Sequence, residues 1–185
     1  MKWVKKYNYL KSTRSLINGT RYYSVENTKL PSVSEILEKT KPEEEKEALK
    51  AWKAKIGEKE STRISKESLS RGSKMHKIIE NFLLNRLNGE LLVKDDLAQK
   101  MANEIIDNGI KEKFTEIYGA EATLFFPKLY AGTCDAVGFY EGSEAILDFK
   151  NSRSPKKIEW IYTYLLQLAG YVKAHNKVHN SHITK

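Results

Sequence analysis

Hydrophobic positions along the chain change period twice. Residues 1–30 are basic and tyrosine-rich, and within them 22–25 reads as a short strand. Pro31-Ser32-Val33-Ser34-Glu35 then opens a helix, with Ser32 at the N-cap and Glu35 three residues on, the spacing of a capping box. Val33, Ile36 and Leu37 follow at helical spacing. A second helix starts at Pro42, with proline at its first position and Glu43, Glu44 and Glu45 in its first turn, where acids suit the helix dipole. It carries Leu49 and Trp52 and stops at Gly57. A third is expected over about 66–87, with Met75, Ile78, Ile79, Phe82 and Leu83 as its apolar stripe and Asn88-Gly89 as its end. A fourth is expected over about 95–117, capped by Asp95, with Leu97, Met101, Ile105, Ile106, Ile110 and Phe114 inward.

After that the period shortens. Three apolar or aromatic runs at 121–126, 130–140 and 144–149 are separated by Pro127-Lys128 and Glu141-Gly142-Ser143, which predicts an antiparallel meander. A closing helix over about 157–177 offers Ile158, Ile161, Tyr162, Leu165, Leu168, Ala169 and Val172 to the sheet. No internal repeat and no low-complexity linker interrupts the chain. The 185 residues read as one domain: a basic arm (1–31), a helical part (32–117), and a sheet with its closing helix (118–178).

Composition narrows the class. Forty per cent hydrophobic and 30% charged residues suit a globular protein rather than a disordered one. No run of about 18 apolar residues marks a membrane span, and the N-terminus lacks the apolar core of a secretory signal. The single cysteine, Cys134, rules out an internal disulfide and any cysteine-ligated cluster within one chain. An intracellular, cytoplasmic setting (a bacterial or phage-infected cell) is the expectation. The net charge of +8 is uneven: residues 1–31 carry seven Lys and Arg against Glu26, and 150–185 carry seven against Glu159. Basic ends around an acidic middle suit a polyanion brought to a metal site, or simply solubilise the chain.

The candidate chemistry lies between Glu121 and Lys150. In a strand, residues i and i+2 share a face, so Asp148 and Lys150 point the same way if 145–150 is extended throughout. With Asp135 on the same face of the neighbouring strand, two acids and an ammonium group converge, an arrangement that can hold a hard divalent cation. Alone, Asp-x-Lys also reads as an exposed salt bridge. His76 and Glu80 share one helical face, although a histidine beside a core stripe is commonly structural.

Taken in order, the pieces are more specific: Arg71-Gly72-Ser73-Lys74-Met75-His76 through Glu80, then Glu121, Gly132-x-x-Asp135, Asp148-x-Lys150 and Gln167-x-x-x-Tyr171. From about Pro31 to Tyr171 this series resembles the RecB-type branch of the PD-(D/E)XK nuclease superfamily. Pro31-Ser32-Val33, the helix with Trp52 and Asp148-Phe149-Lys150-Asn151-Ser152 are similar, more narrowly, to its mitochondrial-genome-maintenance and phage-type exonucleases.

The resemblance implies an α/β fold with a restriction-endonuclease-like core: a small mixed sheet flanked by helices, with the helical part in front of the site. It implies Mg²⁺ or Mn²⁺ held by His76, Asp135, Asp148 and the Phe149 carbonyl. Lys150 would stand beside the attacking water and the scissile phosphate, with Glu121 an acid near the site. Gln167 and Tyr171 would orient the site and contact DNA, and Arg71, Lys74 and Ser152 would contact substrate. Residues 32–69 would form a gateway that admits one strand.

The implied activity is that of a metal-dependent DNA exonuclease, monomeric and acting on single-stranded DNA with free ends. A structure-specific endonuclease, a non-catalytic DNA-binding module and a protein-interaction domain are the alternatives. The family core continues beyond the Gln-x-x-x-Tyr helix, so a truncated chain or a sheet with an open edge is expected at the C-terminus. His175, His179 and His182 read as a frayed tail rather than a metal cluster.

Overall fold

The computed structural model describes residues 1–85, 96–152, 155–156 and 158–185. Its centre is a mixed four-stranded sheet in the order β1-β5-β6-β7: β1 (Lys2–Trp3), β5 (Phe114–Phe126), β6 (Tyr130–Tyr140) and β7 (Ser143–Leu147). β1 runs parallel to β5, while β5, β6 and β7 form the expected antiparallel meander. Helices cover the sheet on both sides, so the architecture is α/β with helical flanks.

On one side lie α3 (Glu58–Leu83) and α4 (Leu97–Ile105), which runs into a π-helical turn at Ile106–Ile110. Met75, Ile79 and Leu83 of α3 pack with Ala98 and Ala102 of α4 and with Phe114 and Ile117 of β5. On the other side lie α1 (Val33–Lys39) and α5 (Tyr162–His179), which follows a 3₁₀ turn at Ile158–Ile161. There Val33, Tyr171 and Ala174 meet Leu124, Cys134, Val137 and Ile146. α2 (Glu43–Ile56) buries no residue and carries its charges in solvent.

Several boundaries differ from the sequence reading for definable reasons. α1 begins as expected: the Ser32 Oγ accepts from the Glu35 N–H at 3.4 Å. The box is only half closed, because the Ser32 N–H donates to the Arg21 carbonyl. Pro42 is the N-cap of α2 rather than its first helical residue. α3 starts eight residues before 66, because Gly57, at φ +84°, ends α2 and lets a new helix leave at once. The fourth helix stops short of 117: its sequence turns extended at Phe114, which begins the 13-residue β5. Asp96 caps α4 through the Ala98 N–H; the Asn88-Gly89 stop and the Asp95 cap lie outside the described residues.

The basic N-terminal segment is far more ordered than a single short strand. β2 (Ser12–Ile17), β3 (Thr20–Val25) and β4 (Thr28–Pro31) form a second, antiparallel sheet. It packs on the first through Tyr23, Val25, Leu30 and Ala131. The C-terminus is not frayed either. Ile183 is buried, and the Ile146 N–H donates to the Lys185 carbonyl at 3.1 Å, so the last residues lie along β7.

Candidate active site

Asp135 leaves β6 one residue after buried Cys134, and alternation along the strand sends it to the α3 side. His76 comes from the middle of α3, where Met75 and Ile79 hold the helix on the sheet. Its Nδ1 lies 2.8 Å from Asp135 Oδ1. Across the ladder, Ala120 pairs with Ala136 and Ala122 with Cys134, which sets Glu121 opposite Asp135. Glu121 adopts φ +49°, a left-handed conformation that is uncommon for a glutamate within a strand. Ligand atoms of His76, Glu121 and Asp135 lie within 4.8 Å of one another.

Asp148 and Lys150 reach the same place by a route the sequence did not indicate. β7 ends at Leu147, so the two residues lie beyond the strand, and no i, i+2 pleat aligns them. Instead the Phe149 N–H donates to Asp135 Oδ2, which draws the loop across the middle of β6. Asp148 is buried and ion-paired with Lys150, yet its Oδ2 accepts no well-angled hydrogen bond. Lys150 Nζ also donates to Gln167 Oε1 at 2.9 Å, and Gln167 Nε2 donates to the Tyr171 hydroxyl at 2.9 Å. That relay depends on glycine at 132: a Cβ there would stand 2.5 Å from the Tyr171 ring. Gly72 similarly lets α3 approach Asn151, the residue after Lys150.

These side chains line one open cleft of about 570 Å³. Within it the acids are crowded. Burial raises the Asp148 pKa, and the Asp135 charge raises it further, against the lowering effect of Lys150. Burial likewise raises Glu121, with Asp135 and Glu80 adding to it. His76 is raised chiefly by its hydrogen bond to Asp135, against its own desolvation. Carboxylates held together against their mutual repulsion fit a hard cation. An imidazole beside them broadens the donor set toward Mn²⁺. His76, Glu121, Asp135 and Asp148 would hold it.

Not every sequence candidate meets in the cleft. Arg71 is buried behind it, donating to Asn151 Oδ1 at 3.1 Å and to Ser68, so it braces the loop that carries Lys150. Lys74 points to the α3–α4 side and pairs with Asp96 at 3.1 Å. At Phe149 the contact seen is the N–H to Asp135, while the resemblance implied a role for the carbonyl. Ser152 is half-buried on the same loop.

Two cleft residues had been read only as charge: Arg14 of β2 and Arg21 of β3. The signal that finds them is Asn18-Gly19. This pair joins two runs rich in β-branched and aromatic residues, the strongest short-range mark of a hairpin.

A hard-cation site beside a fixed ammonium group and two arginines is equipped for a phosphate ester. No family model matches the chain. Among curated proteins it is similar to mitochondrial genome maintenance exonuclease 1 of Mus musculus, 28% identical over 164 residues, which cover 85% of this chain and 47% of that protein. To the protein of the same name from Xenopus tropicalis it is 27% identical over 165 residues, covering 83% and 45%. The chain spans about half the length of the curated relatives it matches. The similarity supports a nuclease family. No helix among the described residues is long and apolar enough to cross a membrane.

Proposed function

We propose that this chain is a metal-dependent DNA exonuclease of the PD-(D/E)XK type, acting on single-stranded DNA with free ends. One observation carries the reading: His76, Glu121, Asp135, and Asp148 with Lys150 come from four separate stretches of chain and line the same cleft. The exonuclease names of the two relatives support it. So does the meander flanked by α3 and α5, as a restriction-endonuclease-like core requires.

A bound Mg²⁺ or Mn²⁺ would neutralise the phosphodiester and acidify a bound water. The protein's part is positional. Asp135 holds His76 with one oxygen and the Phe149 amide with the other, fixing the donor set before substrate arrives. Lys150 is tied by Asp148 and Gln167, so its ammonium is aimed rather than mobile. Its role is to stabilise the negative charge that develops on the phosphate and to orient water, since an ordinary lysine is a poor base at neutral pH. Tyr171 fixes Gln167 and thereby Lys150.

The test is digestion of linear and circular DNA, single- and double-stranded, in Mg²⁺ or EDTA. Linear single strands are expected to disappear in Mg²⁺ only. Cleavage left unchanged by Asp148→Ala or Lys150→Ala overturns the assignment, and cleavage of circular single strands replaces exonuclease by endonuclease.

A further inference from the structure

The hairpin formed by β2 and β3 faces the acids across the cleft. Its register pairs Arg14 with Tyr23 and Leu16 with Arg21, so these four side chains share one face of the second sheet. Tyr23 is buried against the first sheet, and its hydroxyl lies 3.5 Å from Thr133 Oγ1, anchoring that face beside Asp135. Toward the Asn18-Gly19 turn the same face emerges from the packed region. Arg14 and Arg21 are exposed there and line the cleft, while Leu16 is 74% exposed between them.

Among the described residues neither guanidinium donates a hydrogen bond or closes an ion pair. Most other cationic side chains around the cleft are engaged: Lys77 with Glu80, and Lys150 with Asp148 and Gln167. Among the described residues these two arginines make no hydrogen bond or ion pair, although the Arg14 charge is close enough to Glu121 to favour its ionised form, so both forks are available for an anion that enters from outside.

A second cleft, of about 490 Å³, adjoins the first. Arg21, Ser34, Lys150 and Gln167 line both. It runs between α1 and the start of α5 and adds Lys41, which is paired with Glu38, together with Glu45, Lys156 and Tyr164. Lys156 Nζ donates to the Tyr164 hydroxyl at 2.5 Å, and the Nζ atoms of Lys150 and Lys156 stand 5.3 and 4.8 Å from the Tyr164 ring centre. The two clefts therefore form one groove, with Arg21 and Lys150 on the wall they share, the acids and Arg14 in the first cleft and Lys156 in the second. Phosphates repeat along a nucleic-acid strand, and spaced cations on both sides of a cleavage point match that repeat.

We propose that Arg14 and Arg21 on the hairpin, together with Lys156 past the shared wall, form a phosphate track that holds several nucleotides of a single strand on both sides of the scissile bond. Lys150 stands where the two clefts join. Leu16, at the lip between the arginines, is the apolar contact for a sugar or base entering the track. This rests on the nuclease reading above and adds to it a binding subsite that none of the acids supplies.

The experiment compares wild type with Arg14→Ala/Arg21→Ala, its conservative partner Arg14→Lys/Arg21→Lys, and Lys156→Ala. Steady-state cleavage of fluorescent single-stranded oligonucleotides of about 4 and about 12 nucleotides is followed in Mg²⁺. Anisotropy binding is measured in Ca²⁺ over a salt series.

For the double alanine variant KM is expected to rise about 10-fold or more, with kcat falling no more than about 2-fold. The plot of log affinity against log salt should flatten by roughly 1.4, the value for two single-strand phosphates. Lysines should restore part of the affinity and the slope. Lys156→Ala should raise KM for the long oligonucleotide more than for the short one. A double alanine variant with wild-type KM and salt slope overturns the track while leaving the nuclease reading intact. A wild type with no metal-dependent cleavage overturns both. All three sites are exposed, so circular dichroism and melting should match wild type, and a loss of fold is separated from a loss of binding.

Discussion

Two histidines on opposite sides of the main sheet show how the same side chain is put to different use. His76 stands in an open cleft with its Nδ1 on a carboxylate, and its pKa is raised by that hydrogen bond. His175 is fully buried, and burial, helped by His179, pushes its pKa down to about 4. Its partners are hydroxyls: Nε2 lies 3.0 Å from the Tyr9 hydroxyl and Nδ1 2.7 Å from Ser181 Oγ. Ser181 Oγ in turn donates to Asn176 Oδ1, so it accepts from Nδ1–H, and Tyr9 donates to Nε2. Only a neutral imidazole completes that chain. Tyr7 packs on it edge-on, Tyr9 and His179 lie tilted against it, and Asn176 ties the tail by pairing with both backbone groups of Ile183. One cluster is crowded with charge and open to a ligand; the other has every polar atom of its imidazole satisfied and is closed. The first is arranged to accept a ligand, and the second ties residues 7–9 to residues 175–183.

The sharpest way to break this contrast is to neutralise an acid in the cleft. Asp148→Asn keeps the shape and removes a buried charge. Activity in Mg²⁺ is expected to fall at least about 100-fold, while the melting temperature without metal stays level or rises, because the carboxylate repulsion is relieved. A large drop in melting temperature would mean that the acid cluster is structural.

His175→Ala should do the reverse. It opens a cavity and leaves the Tyr9 and Ser181 hydroxyls unpaired, at a cost of about 3 kcal/mol in urea unfolding. The specific activity of the fraction that stays folded should change little. Activity lost without a loss of stability would place His175 in the chemistry.

The smallest effect is in pH, and there the two histidines have opposite signs. The folded pKa of His175 lies below its unfolded value near 6.5. Its contribution is therefore complete above that value and is lost as pH falls toward about 4. The His175→Ala penalty should accordingly shrink by about 1–3 kcal/mol between roughly pH 7.5 and 4.5. The folded pKa of His76 lies above its unfolded value, so in metal-free protein its pairing with Asp135 contributes below that value and is lost as pH rises through the folded pKa. Unfolding curves for His76→Ala and His175→Ala across that range, in EDTA, check both signs. Penalties that run parallel with pH would dissolve the distinction.

The convergence on one cleft was legible because residue types recur at short spacing: Gly132-x-x-Asp135, Asp148-x-Lys150 and Gln167-x-x-x-Tyr171 all line it. The local reason offered for Asp148 and Lys150 did not survive. They share a place because the Phe149 amide bonds to Asp135, a contact between two elements that alternation within one strand cannot encode. The resemblance implied that Arg71 and Lys74 contact substrate. On a helix, residues five and two positions away from His76 leave its face, and both side chains turn to other partners.

The N-terminal sheet and the packed tail were missed for a related reason. Their burial comes from residues more than 100 positions away, as in Ser12 with Thr123 and Tyr9 with His175. By itself, the sequence determined the helices with a clear apolar stripe, the meander with its turns, and the identity of the acids and the lysine, because these follow from periodicity and side-chain chemistry over a few residues. Only the tertiary structure decided which acids crowd together, which histidine has its pKa raised and which lowered, and that a basic hairpin stands across from the acids. Those outcomes depend on desolvation and distance between segments remote in sequence, and both terms exist only once the sheets have packed.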